Sequence, residues 1–348
     1  MRRLAVPVLA GIGNALMAQP MVRQLKGGFP EAELVVFART QPIGDVFDRL
    51  PEVAGVEVFG NEPREFARLI RRMRAWRADV CVIPYPSNRW QYSLLASACG
   101  ARRTILNGYA VGGLRAMHFL PAERVPAVEG LHDLDQALRL LEPLGIRPDL
   151  SMAPCFPLSS DEIRRAAVRL PGTGCVAVHA GSGRTVFGEA KRWSPANYVR
   201  LIDRLRAEGL KPVVIEGPDE EGVGAEVAPG GDVPVVRLDG PLADAAAILA
   251  ACRIYVGNDS GLAHLAAAVG TPPVTLFGPA RPDELCPWGY RHLVVQTPAP
   301  CAPCFAYPTR AVTPHVPCRP PFCINQIALE SVMEKVRLAL KMPSHGAA

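Results

Sequence analysis

The densest chemistry in this chain lies in Gly257-Asn258-Asp259-Ser260-Gly261-Leu262-Ala263-His264. An apolar run at 254–256 reads as a buried strand that stops at a carboxylate, and a turn of small residues then opens an Ala-rich helix. A helix start leaves backbone N–H groups unpaired and carries partial positive charge, so it can seat a phosphate. His264 falls within the first helical turn, where an imidazole can reach the same anion. The plain alternative is that Asp259 or Ser260 merely caps the helix.

Two further loops suit the same ligand chemistry. His179-Ala180-Gly181-Ser182-Gly183 follows a strand and leads to Lys191-Arg192-Trp193-Ser194-Pro195. Glycines let backbone amides approach an anion, and Ser182 and Lys191 can bind its oxygens; an exposed basic loop before a helix is the alternative. In Glu216-Gly217-Pro218-Asp219-Glu220-Glu221 a carboxylate can take ribose hydroxyls, although acidic residues at a helix start are commonplace.

The elements that must position these loops alternate throughout, which predicts parallel α/β layers. In the first half, 4–9, 34–38, 56–59, 80–84 and 104–106 read as strands, with helices at 15–25, 43–50, 63–76, 90–98 and 132–144. Three prolines break the pattern between 148 and 160, so the expected division is a domain at 1–150, a linker at 151–160, a second domain at 161–325 and a closing helix and tail at 326–348. In the second half, strands are expected at 175–179, 212–215, 233–238, 254–256 and 274–277, and helices at 161–169, 195–208, 243–251, 262–269 and 327–340. Two doubly wound halves imply a ligand cleft outside the carboxyl ends of the strands.

A chain of 348 residues supports two cores, and 49% apolar with 20% charged residues is ordinary for a globular protein. The net charge of +5 is mild and suggests no nucleic-acid partner. Arg64, Arg68, Arg71, Arg72, Arg74 and Arg77 read as the solvated face of a helix, though an acidic acceptor or an anionic membrane face would also suit them. The start, Met1-Arg2-Arg3 and an apolar run, resembles a secretory leader, but Pro7, Gly11, Gly13 and Asn14 interrupt it and a first strand is the better reading. No apolar run is long enough to span a bilayer, so any membrane contact would be peripheral. Of ten cysteines, six are scattered and read as buried small hydrophobes.

The three loops, in order and spacing over residues 172–280, resemble the signature of glycosyltransferase family 9, the ADP-heptose:lipopolysaccharide heptosyltransferases. The resemblance implies a GT-B α/β fold of two Rossmann-like domains, with the acceptor on the N-terminal one and the donor on the C-terminal one. It implies an inverting transfer, without a catalytic cofactor or metal, from an ADP-sugar to a glycan or lipid-linked acceptor. Such an enzyme works in the cytoplasm, at or near the inner membrane. Carried over residue by residue, it puts Gly181, Ser182 and Lys191 at the diphosphate, Glu221 at the ribose and Leu242 on the adenine. Asp259, Ser260, Gly261 and His264 would grip the phosphates and sugar, with Lys191 and Asp259 serving catalysis.

The acceptor side departs from that pattern. Gly11-Ile12-Gly13-Asn14 matches the family's turn, where an Asp regarded as the general base commonly follows the last glycine. An amide cannot take a proton near neutral pH; it can only orient a hydroxyl. Either another group is the base, with Asp45 and His118 as candidates, or positioning and leaving-group stabilisation suffice, or transfer is poor. A working transferase with a modified acceptor side is the expectation.

Cys301, Cys304, Cys318 and Cys323, with His315, could hold a structural zinc or iron, as cysteines do in some relatives; free thiols or a disulfide are the alternatives. Two rival functions remain. Gly11-x-Gly13 after a strand, with Arg39 beyond the next, begins an NADP-dependent oxidoreductase fingerprint, but Leu16 stands where its third glycine belongs. Asn14 also suits a non-catalytic nucleotide-sugar-binding protein.

Overall fold

The computed structural model describes residues 1–110, 116–183, 186–304, 318 and 321–343. The chain forms two compact units, the first covering Met1–Pro154 and the second beginning at Cys155.

The first unit is built on six strands, β1 (Arg3–Val8), β2 (Glu33–Ala38), β3 (Gly55–Val58), β4 (Val80–Val82), β5 (Arg103–Gly108) and β6 (Glu123–Pro126). All pair in parallel, in the order β3-β2-β1-β4-β5-β6. The central strands are continuous apolar runs because helices cover both faces of a parallel sheet; Leu4, Ala5 and Val6 of β1 are fully buried. The segment weighed as a leader is therefore the middle of the sheet.

The second unit repeats this plan with β7 (Cys175–His179), β8 (Lys211–Glu216), β9 (Val235–Arg237), β10 (Ile254–Asn258), β11 (Pro273–Phe277) and β12 (Val294–Gln296). Its order is β12-β11-β10-β7-β8-β9, again all parallel. Numbered within each unit, both sheets run 3-2-1-4-5-6, the doubly wound Rossmann order. That order reverses between β1 and β4 and between β7 and β10, where such sheets bind ligands. The helix Leu329–Leu340 closes the second core through Val332, Met333, Val336 and Ala339, all fully buried.

Several elements differ from the sequence reading. The expected helix at 132–144 is an α-helix only over Asp133–Leu138, and a 3-10 turn, Arg139–Leu144, follows. Pro143 has no N–H to donate and its ring crowds the preceding turn, so the α-helix cannot continue. Gly145, at φ +73°, ends it as expected. Strands β6 and β12 were not anticipated. Each lies at a sheet edge, and β6 buries only Val125, leaving no apolar run to read. The first helix begins at Ile12 rather than 15, so Gly13 and Asn14 lie in its opening turn.

Candidate active site

The C-terminal ends of β7 and β10 are neighbours, with Gly257 opposite His179. One buried amide joins the loops that leave them. Asn258 Oδ1 accepts from the Trp193 N–H (3.1 Å) and the Tyr198 hydroxyl (2.9 Å), while Nδ2 donates to the carbonyls of Ala180 (2.9 Å) and Gly181 (3.1 Å). Both lone pairs and both protons of the amide are used. The glycine loop and the segment after Lys191 are thus tied to the end of β10.

A second buried chain crosses the same strands. Glu220 Oε2 lies 2.8 Å from His179 Nε2, His179 Nδ1 lies 2.9 Å from the Tyr255 hydroxyl, and that hydroxyl lies 3.2 Å from Ser260 Oγ. The Gly217 N–H also donates to Glu220 (3.0 Å). Burial pushes the Glu220 carboxyl up, but the His179 bond and charge, the Gly217 amide and the Arg192 charge outweigh it and hold it below the usual range. Tyr255 is driven well above the ordinary phenol range by burial. Two glycines make room for this chain. A Cβ on Gly181 would overlap the Glu220 carboxylate, and one on Gly257 would come within 2.8 Å of the His179 carbonyl.

Lys191 and Asp259 form an ion pair at 2.6 Å, with side chains 18% and 8% exposed. The Asp259 N–H still bonds Leu276 O (3.1 Å), which fixes the carboxylate at the strand end. Ser260 is the N-cap residue of helix Gly261–Ala268, yet its side chain makes no capping bond and turns to Tyr255 instead. The plain capping alternative therefore fails for Ser260. The helix start presents amides without a side-chain cap, beside a lysine and a glycine loop. Ser182 is buried, and its carbonyl accepts from Arg192. Such an arrangement stabilises negative charge that grows on a phosphate oxygen.

The other expected residues of this unit divide by environment. Glu221 is exposed, 3.6 Å from Arg237, which also approaches Glu216 (3.7 Å) and Asp239 (3.4 Å). Leu242 opens the helix Leu242–Ala250 and is buried, as is His264 in the first turn of its helix. Sequence reasoning missed His179 as a hydrogen-bonded core residue, Glu220, Tyr255 and Asn258. Only their place in or beside the quoted loops hinted at them.

In the first unit, Asn14 Nδ2 donates to Asp133 Oδ2 at 3.3 Å. Asp45 accepts from Gln41 at 2.7 Å. His118 lies beside Tyr109, and burial, then the Arg124 charge, holds its imidazole below the usual value. A cavity of about 360 Å³ opens at the strand ends, lined by Arg39, Phe59, Phe66, Arg89 and Trp90 among others. On the helix Pro63–Trp76, Arg64 pairs with Glu62, Arg68 with Glu65 and Arg72 with Glu57, in keeping with a solvated face.

Cys301 and Cys318 are exposed, Cys304 is partly buried and Cys323 is buried, its thiol pushed up to about 11 chiefly by burial. Among the described residues no group of three or more His, Cys, Asp or Glu side chains could hold a metal ion. His315 lies outside the described residues. No described helix is long and apolar enough to cross a membrane.

Residues 67–313 match the model of glycosyltransferase family 9 (heptosyltransferase). The lipopolysaccharide heptosyltransferase 3 of Escherichia coli is 26% identical over 295 residues, spanning 79% of this chain and 83% of its own. Among solved structures, a family 9 glycosyl transferase from Veillonella parvula superposes with a TM-score of 0.79 at 18% identity, covering 97% of each chain. The E. coli ADP-heptose lps heptosyltransferase II gives 0.74 at 22% identity over 98% of each. These likenesses show the GT-B fold, and the matched family sets aside the oxidoreductase alternative. The chain belongs to glycosyltransferase family 9, the heptosyltransferases, and is a glycosyltransferase.

Proposed function

We propose that this enzyme transfers a heptose from an ADP-sugar to a lipopolysaccharide-type glycan by single displacement, with inversion at the anomeric carbon. The observation that carries this reading is the Lys191–Asp259 pair beside the start of helix Gly261–Ala268, at the point where strand order reverses. In an oxocarbenium-like displacement the sugar–oxygen bond breaks ahead of attack, and negative charge gathers on the departing diphosphate. Lys191, the amides of Gly261 and its neighbours and the Gly181–Ser182 backbone offer preorganised positive charge to that oxygen. Asp259 holds the Lys191 ammonium in place. Positive charge from these groups serves the leaving group without a divalent ion. Glu221 is proposed for the ribose and Leu242 for the adenine; His264 would meet the phosphates or sugar. The first unit would hold the acceptor, and a lipid-linked acceptor would bring the enzyme to the inner membrane's cytoplasmic face.

Isothermal calorimetry with ADP, UDP and GDP tests the donor side, and NMR of the product's anomeric proton tests inversion. ADP should bind most tightly, and Asp259→Ala should weaken it by about tenfold or more through the loss of a nearly buried charge partner. Unchanged ADP affinity in Asp259→Ala would place the donor elsewhere. Asn14 motivates a second reading, a sugar-nucleotide-binding protein without transfer. ADP binding with no turnover of any ADP-sugar would favour it.

A further inference from the structure

We propose that Asp133 is the general base for the acceptor hydroxyl, and that Asn14 aims its carboxylate. This rests on the transferase reading above. A hydroxyl that attacks an anomeric carbon must shed its proton, and Asn14, at the glycine turn after β1, cannot take it. Its side chain points to a group that can. Asn14 Nδ2 donates to Asp133 Oδ2 at 3.3 Å, since an amide nitrogen can only donate.

Asp133 is held in place by its own helix. It opens the helix Asp133–Leu138, which packs against the helix Ile12–Gly28 that carries Asn14. His132 caps that helix through Nδ1, which accepts from the Leu134 N–H at 3.2 Å and fixes the backbone at Asp133. Asp133 is only 4% exposed, and a carboxylate shielded from bulk water is a stronger hydrogen-bond acceptor than a hydrated one. The pairing also accounts for the amide at residue 14. Two carboxylates at this separation would share a proton, whereas an amide can only donate to its neighbour.

In the step itself, the acceptor O–H gives its proton to Asp133 while its oxygen bonds the anomeric carbon. The bond from that carbon to the diphosphate oxygen breaks, and its electron pair leaves with the diphosphate. Asp133 then returns the proton to solvent.

The test uses the full-length enzyme with an ADP-sugar donor, reading kcat, KM and ADP affinity separately. Asp133→Asn should lower kcat by about 10²–10⁴-fold with donor KM and ADP affinity little changed. Sodium formate should restore part of the kcat of Asp133→Ala by supplying a small carboxylate. The transposed pair Asn14→Asp with Asp133→Asn should recover most of the loss. A wild-type kcat in Asp133→Asn overturns the proposal and leaves the transferase reading standing. A wild-type enzyme that binds ADP but transfers nothing overturns both. If Asp133→Asn does not fold, the transposed pair decides: folded and inactive, it refutes the base.

Discussion

Gly181→Ala tests the buried network most directly. The new methyl would occupy the space of the Glu220 carboxylate, so that carboxylate must leave its bonds to His179 (2.8 Å) and the Gly217 amide (3.0 Å). Each hydrogen bond to a charged group contributes about 1.5–3 kcal/mol. Glu220 regains some hydration if it swings outward, whereas His179, 2% exposed, cannot. The net cost is then about 2–4 kcal/mol. In a unit of this size each kcal/mol moves the midpoint by about 2–4 °C, so the transition of the second unit should fall by roughly 5–15 °C. Scanning calorimetry reads this, and a double variant isolates the cause. With Glu220→Ala already made, the atoms nearest the new methyl are gone and Gly181→Ala should cost little more. A single variant melting with the wild type, or two effects that simply add, would refute the steric argument.

Two other variants probe neighbouring parts of the site. Asn258→Ala strands the Trp193 N–H and the carbonyls of Ala180 and Gly181, and should cost about 3 kcal/mol or more in urea denaturation. Acidification should expose Glu220. Its carboxyl is depressed on folding, so the stability it contributes is complete above the ordinary value of 4.5 and is lost as pH falls through the lower folded value. Stability measured against pH should decline less steeply below 4.5 in Glu220→Gln, and an unchanged acid slope would contradict the coupling to His179.

Local pattern revealed what local forces decide. β7 was legible to the residue, because a buried parallel strand is an unbroken apolar run that ends at a polar loop. The turn after β10 was legible as a helix start, because its small residues lead into an alanine-rich run. What could not be read depends on partners distant in sequence. Glu220 and His179 are 41 residues apart, and neither segment hints that it is Glu220, not the exposed Glu221, that turns inward. Asn258 looked like one polar residue in a loop until Trp193 and Tyr198 supplied its partners. Asp133, 119 residues from Asn14, drew no notice as a helix-start acid. The edge strand β6 escaped for the opposite reason, since it buries only Val125 and carries no apolar run.

Ser260 has a consequence for anyone who would stabilise this enzyme. Serine at a helix N-cap ordinarily contributes about 1 kcal/mol through its own oxygen, and here that oxygen serves Tyr255 instead. The helix is left below its attainable stability at the place where the donor is proposed to bind. A thermostability screen would find that shortfall and fill it, with an aspartate whose carboxylate closes over the amides. Such a variant would be selected for the property that ruins it, because a resident anion competes with the incoming one.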